Sequence, residues 1–444
     1  MEMKNEEMFD INVLGKALFD SPLGLSKVQG DDIFNFVNED EKILQNISLK
    51  EFKKNTADAK EPLAMEKAGP REKIFFDPKK TTAAVVTCGG LCPGINNVIR
   101  SLVMGLHYFY GVKEILGVRY GFEGLNPSYE HGFVNLTPEY VKDIHEFGGT
   151  ILGSSRGGQD IGIMVDTLVD NGVDLLFTIG GDGTLKGANA IGEEIEKRGL
   201  NISVIGIPKT IDNDINLIDK SFGYETAYHV ANPIIRDAHN EATGAYNGIA
   251  IVKLMGRDSG FIAASAAISM PVVNFVLIPE MHFELEGENG FLETLKKRLD
   301  SKHHAVIVVA EGAGQNLFNK DKNGQLTDAS GNIQHDDIGL FLKNSIADYF
   351  KKNNYEVTIK YIDPSYIIRS APANPGDSVF CSGLAYHAVH GAMSGRSKFV
   401  VGRVNNQYVY LPITAVTNKR KKINMEGGYW YAALESTGQP FEMR

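Results

Sequence analysis

The sequence predicts an α/β protein with two lobes, each built on a mainly parallel sheet, and an N-terminal extension before them. Three observations carry that expectation. From Thr81 onward, short β-branched runs alternate with segments of helical length, the mark of βαβ units. The runs are apolar throughout rather than alternating, as strands buried on both faces are. They also number eight, too many for one comfortable sheet.

Residues 1 to about 80 are mixed in pattern, with a lysine- and glutamate-rich stretch from Glu51 to Lys73 interrupted by Pro62 and Pro70; they form the extension. The strands then begin at Ala83 (AAVVT), Lys113 (KEILGV), Asp174 (DLLFTIG), Ile202 (ISVIGI), Gly248 (GIAIVKLM), Asn274 (NFVLI), Ala305 (AVIVVAE) and Glu356 (EVTIKYI). Asn96 to Phe109 and Thr184 to Lys197 have helical length, and the long polar helix from Gly223 to Thr243 is the natural crossing between lobes. Asn319 to Asp337 reads as a polar surface loop, and Val400 onward as a hairpin turning on Asn405 and Asn406. The expected division is 1–80 for the extension, 81–223 with 371–425 for one lobe, 224–370 for the other and 426–444 for a tail.

Composition narrows the function classes. A net charge of −10 argues against nucleic acid or an anionic membrane as partner, because both require a basic face. No run approaches the roughly 20 apolar residues of a membrane span, and the acidic start lacks the form of a secretory signal. The expected location is the cytoplasm. Three cysteines, Cys88, Cys92 and Cys381, are too few for a disulfide framework, and no second Cys/His pair turns Cys88 and Cys92 into a metal site.

Ligands of open α/β sheets sit beyond the carboxyl ends of the strands, so the loops there are read first. After the Ala83 strand comes CGGLCPGINN, whose glycines bring backbone N–H groups close to a ligand ahead of a helix start that favours an anion. A plain tight turn would read the same way. The Asp174 strand opens into GGDGTLKG. Gly181, Gly183 and Gly187 fit a variant dinucleotide turn, but Asp182 would repel a pyrophosphate unless a cation lay between them. The acidic residue expected about 20 positions further on in such a site is also missing. Asp182 therefore reads as a holder of Mg²⁺ that bridges phosphates to the protein.

The next loop, PKTIDNDINLIDKS, places Asp212 and Asp214 alternately in an extended turn just after Thr210. One carboxylate can accept a proton from a substrate hydroxyl while the other helps a metal; turn capping is the competing explanation. Phosphoryl transfer also needs cations, and Arg156, Arg257, Lys360 and Arg369 occupy loop positions suited to phosphate. Glu311, ending a strand at EGAG, can accept hydrogen bonds from sugar hydroxyls, or serve only the turn.

GGDGT, PKTIDNDI, KLMGRDSGFIA and PSYIIRS, in this order and each after a strand, resemble the phosphofructokinase family over roughly residues 81 to 400. The resemblance implies two Rossmann-like lobes facing across a cleft, usually in homotetramers or dimers. It implies that Asp212 takes the proton from the 1-hydroxyl of fructose 6-phosphate, with Thr210 beside the transferring group. Arg156 and Arg257 would stabilise that group, and Asp182 and Asp214 would hold Mg²⁺. Gly90, Gly181, Gly183, Thr184 and Gly187 would line the nucleotide phosphates, while Met255, Gly256, Arg257, Glu311, Lys360, Tyr366 and Arg369 would surround the sugar phosphate. Short bacterial members carry an interface arginine just before the Met-Gly-Arg motif. The corresponding stretch here, YNGIAIVKL, has none, so that contact and its allosteric control are not implied.

The extension, Lys360 and Tyr366 resemble the branch that contains pyrophosphate-dependent enzymes. Pyrophosphate-using relatives have aspartate where this chain has Gly183, and lysine where it has Lys209. A carboxylate at 183 would crowd and repel a nucleotide α-phosphate, whereas glycine leaves room and a lysine at 209 excludes nothing. The expectation is ATP as phosphoryl donor. Its alternatives are a pyrophosphate-dependent enzyme and a catalytically silent paralogue that regulates a partner; retention of Asp212 argues against the latter.

Overall fold

The computed structural model describes residues 9–57, 62–318 and 335–443. Most of the polar loop expected from Asn319 to Asp337 therefore lies outside the described residues. The chain divides into two compact units, Met1–Thr210 with Ile215–Gly223 and Pro375–Lys419, and Ile211–Asp214 with Tyr224–Asn374 and Arg420–Arg444.

The first unit is organised by a nine-stranded sheet in the order Lys42–Leu44, Ala64–Lys67, Gln407–Pro412, Phe399–Val404, Ser203–Pro208, Leu175–Gly180, Thr82–Thr87, Glu114–Val118 and Phe133–Asn135. The five strands from Phe399–Val404 to Glu114–Val118 are parallel, and the pairings beyond them are antiparallel. Leu175–Gly180 and Ser203–Pro208 are buried at every position, which is why their sequences show no alternation. The extension contributes two strands to one end of this sheet, so it is an integral part of the unit. The expected hairpin forms between Phe399–Val404 and Gln407–Pro412; Asn405 and Asn406 turn it with φ of 49° and 66°, a conformation asparagine tolerates. Cys88, Cys92 and Cys381 are buried and form no disulfide.

The second unit holds a fully parallel four-stranded sheet, in the order Phe275–Leu277, His304–Ala310, Gly248–Leu254 and Thr358–Ile362. Thr358–Ile362 is an edge strand with exposed positions, unlike Gly248–Leu254 beside it, which is buried at every position but Lys253. The segment expected as a tail is part of this unit's core. Its helix Gly428–Thr437 buries Trp430 and Leu434 there, and Gln439 hydrogen-bonds the Val276 backbone through both ends of its amide. Residues 371–374 and 420–425, expected with the first lobe, also belong to the second unit. Among the described residues no helix is long and apolar enough to cross a membrane.

Candidate active site

In the first unit the chain runs from Thr82–Thr87 to Glu114–Val118 on one side, then returns to Leu175–Gly180 and Ser203–Pro208 on the other. The strand order reverses between Thr82–Thr87 and Leu175–Gly180, which is where open α/β sheets form their ligand crevice. The two glycine loops flank this point. Gly89 has a φ of 85° and Gly94 one of 99°, so the first loop takes turns that side-chain-bearing residues resist. The second passes through Gly181 directly into the helix Asp182–Lys197, whose free N–H groups and dipole favour an anion.

Three strand-end segments are tied together here. Lys209 N–H donates to the Gly180 carbonyl at 2.9 Å, and its buried ammonium donates to the Gly90 carbonyl at 2.7 Å. Ser154 Oγ donates to the Gly89 carbonyl, while Gly89 N–H donates to Ser155 O. These bonds bring Arg156 alongside, since a Cβ added at Gly90 would lie 3.5 Å from its Nη2. Gly90, Arg156, Gly181, Asp182, Gly183, Thr184 and Lys209 thus gather at adjoining strand ends of one sheet. Thr210 follows, with its carbonyl accepting from Ser221 Oγ.

The glycines differ in what requires them. A Cβ at Gly180 would meet Thr184 Oγ1 at 2.2 Å, and one at Gly187 would meet the Phe122 ring at 2.8 Å. Packing accounts for both, so Gly187 has a structural reason apart from any phosphate. Around Gly183, by contrast, an added Cβ meets nothing within 4 Å. Nothing in this chain's own packing demands glycine there. Asp182, the first residue of the helix, keeps a side chain 29% exposed and accepts from Lys186 Nζ at 2.8 Å.

In the second unit the loops after Gly248–Leu254 and His304–Ala310 lock onto each other. Glu311 N–H donates to Leu254 O and Gly312 N–H to Gly256 O. Gly256 has a φ of 130°, and a Cβ at Gly312 would fall 1.8 Å from Arg257 O, so close backbone approach requires both glycines. Met255 is buried in the core below. Asp212 is partly buried in this unit, with its Oδ1 shielded from solvent, and accepts a hydrogen bond from the Arg257 backbone N–H. Burial pushes its carboxyl well above the ordinary range, and the charges of Asp214 and Glu311 add to this; the Arg257 N–H and Arg420 oppose it. Burial likewise raises Glu311, against the pull of Arg369, Lys253 and Arg257.

Some expected residues are placed differently. Lys360 lies within the edge strand, half-exposed, with its ammonium 3.6 Å from Glu241. It is the adjacent Tyr361 whose hydroxyl reaches Asp337, on the side of the strand that carries Lys253. Tyr366 is 79% exposed, with the Arg369 guanidinium 5.0 Å above its ring. The expectation of Asp214 as a metal ligand meets a competing cation: its buried carboxylate accepts from Arg420 Nη1 at 2.8 Å.

Two cations escaped sequence reasoning. Lys253 bridges Asp337 at 2.8 Å and Asp363 at 3.0 Å; an inward lysine in an apolar strand was its only signal. Arg420 contacts both Asp214 and Asp258, and the basic run NKRKKI was the available sign. Among the described residues no group of three or more His, Cys, Asp or Glu side chains forms a protein-only metal cage.

A mainly parallel sheet with glycine loops and a helix start at its switch point, in a chain whose second unit sets partly shielded carboxylates near arginines, is an α/β arrangement suited to phosphate chemistry. The family model for phosphofructokinase matches residues 82–392, and the chain belongs to that family. It is 50% identical over 449 residues to the ATP-dependent 6-phosphofructokinase of Borreliella burgdorferi, covering 100% of this chain and 99% of the relative. It is 46% identical to the ATP-dependent 6-phosphofructokinase of Amycolatopsis methanolica, covering 97% and 95%. The fold is shared with the crystal structure of a pyrophosphate-dependent phosphofructokinase from Marinobacter aquaeolei, with a TM-score of 0.65 at 19% identity, covering 80% of this chain and 91% of that one.

Proposed function

We propose that this chain is an ATP-dependent 6-phosphofructokinase, which transfers the terminal phosphoryl group of ATP to the 1-hydroxyl of fructose 6-phosphate in glycolysis. The products are ADP and fructose 1,6-bisphosphate. The observation that carries the reading is 50% identity, end to end, with a relative bearing that name. The open space at Gly183 supports the choice of donor, because it leaves room for a nucleotide α-phosphate where a carboxylate would repel one. Lys209 does not count against ATP, since its ammonium already holds the Gly90 carbonyl of the loop.

In this reading Asp212 accepts the 1-hydroxyl proton as the hydroxyl oxygen bonds to the γ-phosphorus and the bond to ADP breaks. A carboxylate partly shielded from water, with a raised pKa, is a stronger base than an exposed one, and that favours the transfer. Thr210 lies beside the transferring group, and Arg156 and Arg257 offset the charge that spreads over its oxygens. Backbone N–H groups around Gly90, Gly181, Gly183 and Thr184 hold the nucleotide phosphates at the helix start. Met255, Gly256, Arg257, Glu311, Tyr366 and Arg369 surround the sugar phosphate.

Mg²⁺, when bound, neutralises phosphate oxygens. Asp182 fits as its holder, being an accessible carboxylate whose partner Lys186 is an exposed, displaceable lysine. Asp214 fits less well, because Arg420 already neutralises its carboxylate. A single protein carboxylate with substrate phosphates and water completing the shell suits this ion. A cytoplasmic location and assembly into homodimers or homotetramers belong to the same reading.

The test is fructose 1,6-bisphosphate formation from fructose 6-phosphate and Mg²⁺, with ATP and pyrophosphate supplied separately. Turnover with ATP and not with pyrophosphate is expected. Turnover with pyrophosphate alone overturns the donor assignment, and product from neither overturns the catalytic reading.

A further inference from the structure

The second unit's last segment begins at Arg420 and immediately grips the loop that carries Asp212. Arg420 Nη1 lies 2.8 Å from Asp214 Oδ2 and 2.9 Å from Asp258 Oδ2. Lys421 N–H donates to the Asp214 carbonyl at 2.8 Å, and Lys421 Nζ reaches Asn213 Oδ1 at 3.2 Å. Asn213 itself has a φ of 58°, a left-handed turn that asparagine tolerates. The same few residues hold the loop that supplies the Asp212 hydrogen bond. Ser259 Oγ donates to the Lys421 carbonyl, and Ile423 N–H donates to Glu280, whose carboxylate also accepts from Gly260 N–H.

We propose that Arg420 is a positioning residue for Asp212, fixing it against the Arg257 N–H by clamping Asp214 on one loop and Asp258 on the other. The proposal rests on the reading of Asp212 as the base. Arg420 touches no reacting atom in this account. Asp214, two residues after Asp212, and Asp258, the residue after Arg257, are its contact points, so a shift of either loop separates the base from its donor. Displacements of about 1 Å in such a constellation cost on the order of a hundredfold in rate.

The experiment compares wild type with Arg420→Met, Arg420→Lys and Asp258→Asn in two measurements. The first is steady-state turnover with ATP, fructose 6-phosphate and Mg²⁺. Arg420→Met is expected to lower kcat about 100-fold while leaving KM for ATP within about twofold, since the glycine loops belong to the first unit. Arg420→Lys, which keeps one charged donor, should recover at least about tenfold, and Asp258→Asn should fall between wild type and Arg420→Met. The second measurement is amide hydrogen exchange, which needs no turnover: residues 211–214 should exchange faster in Arg420→Met, and the loop 88–94 should not change. A kcat within about threefold of wild type overturns the proposal, as does unchanged exchange at 211–214 or a loss that lysine fails to recover. Should Arg420→Met not fold, Arg420→Lys and Asp258→Asn carry both measurements. Absence of product from wild type itself defeats the functional reading, and the exchange result then still decides whether Arg420 holds the loop.

Discussion

The two units handle charge in opposite ways. The first offers an anion mostly backbone: glycine turns at a strand switch point, a helix start, and a lysine whose ammonium is spent on holding the loop at Gly90. The second partly shields two carboxylates, Asp212 and Glu311, and surrounds them with Arg257, Arg369, Arg420 and Lys253. A backbone cradle suits a donor whose phosphates carry permanent charge, because N–H groups grip without adding charge to be buried. A shielded carboxylate suits proton transfer, because desolvation makes it basic. In the proposed reading, donor grip and acceptor activation rest on separable parts of this chain and can be broken separately.

The largest effect is expected at Asp212. Asp212→Asn should lower kcat by about 10³-fold, within the range general-base catalysis supplies, while fructose 6-phosphate binding by calorimetry stays within a few-fold. Turnover near wild type would place the base elsewhere.

Next comes acid stability of the first unit, through two histidines of the helix Pro375–Met393. Burial lowers His387 to about 4 and His390 to about 3; the cations Arg71 and, for His390, His387 add to this, and His390 also pairs with the Tyr110 hydroxyl. Both folded-state values lie below the ordinary 6.5, so between them the unfolded chain binds more protons than the folded one. Their stabilising contribution is complete above pH 6.5 and is lost as pH falls towards 4. At pH 5 the loss should be about 2 to 4 kcal/mol for the pair, and denaturant midpoints of wild type and His390→Gln should converge as pH drops.

Two lysines then compare the units directly. Lys253→Met leaves Asp337 and Asp363 without their shared cation, in a partly buried setting, and should cost about 2 kcal/mol of stability. Lys186→Met breaks an i,i+4 pair on an exposed helix face and should cost less than about 0.5 kcal/mol. Denaturant titration of the two variants gives both values, and equal losses would remove the distinction between the units.

Legibility in the sequence follows the same divide. The glycine loops could be read directly, because turns with φ near 85° and a helix start need particular residues at fixed spacing. Most of the eight strands were legible because they are covered on both faces, which makes their sequences continuously apolar; the edge strand Thr358–Ile362, with exposed positions, is the exception. Arg420 and Lys253 were not legible. Their partners, Asp214, Asp258, Asp337 and Asp363, are far away in the sequence, and a lone basic residue carries no periodicity. Lys360 was read as a loop residue because it adjoins informative ones, whereas it lies inside the strand Thr358–Ile362 with its ammonium 3.6 Å from Glu241. The boundaries of the units were hidden as well, because Ile211–Asp214 and Arg420–Arg444 join the second unit through tertiary contacts alone.

The central claim, that the space at Gly183 admits a nucleotide to the first unit's cradle, is tested most directly by Gly183→Asp. An added Cβ meets nothing within 4 Å, so the variant should fold with an unchanged melting temperature and bind fructose 6-phosphate as before. Its kcat/KM for ATP should fall by about 100-fold or more, as expected for a carboxylate placed against a phosphate. A loss of less than about threefold would contradict the account and move the choice of donor away from residue 183.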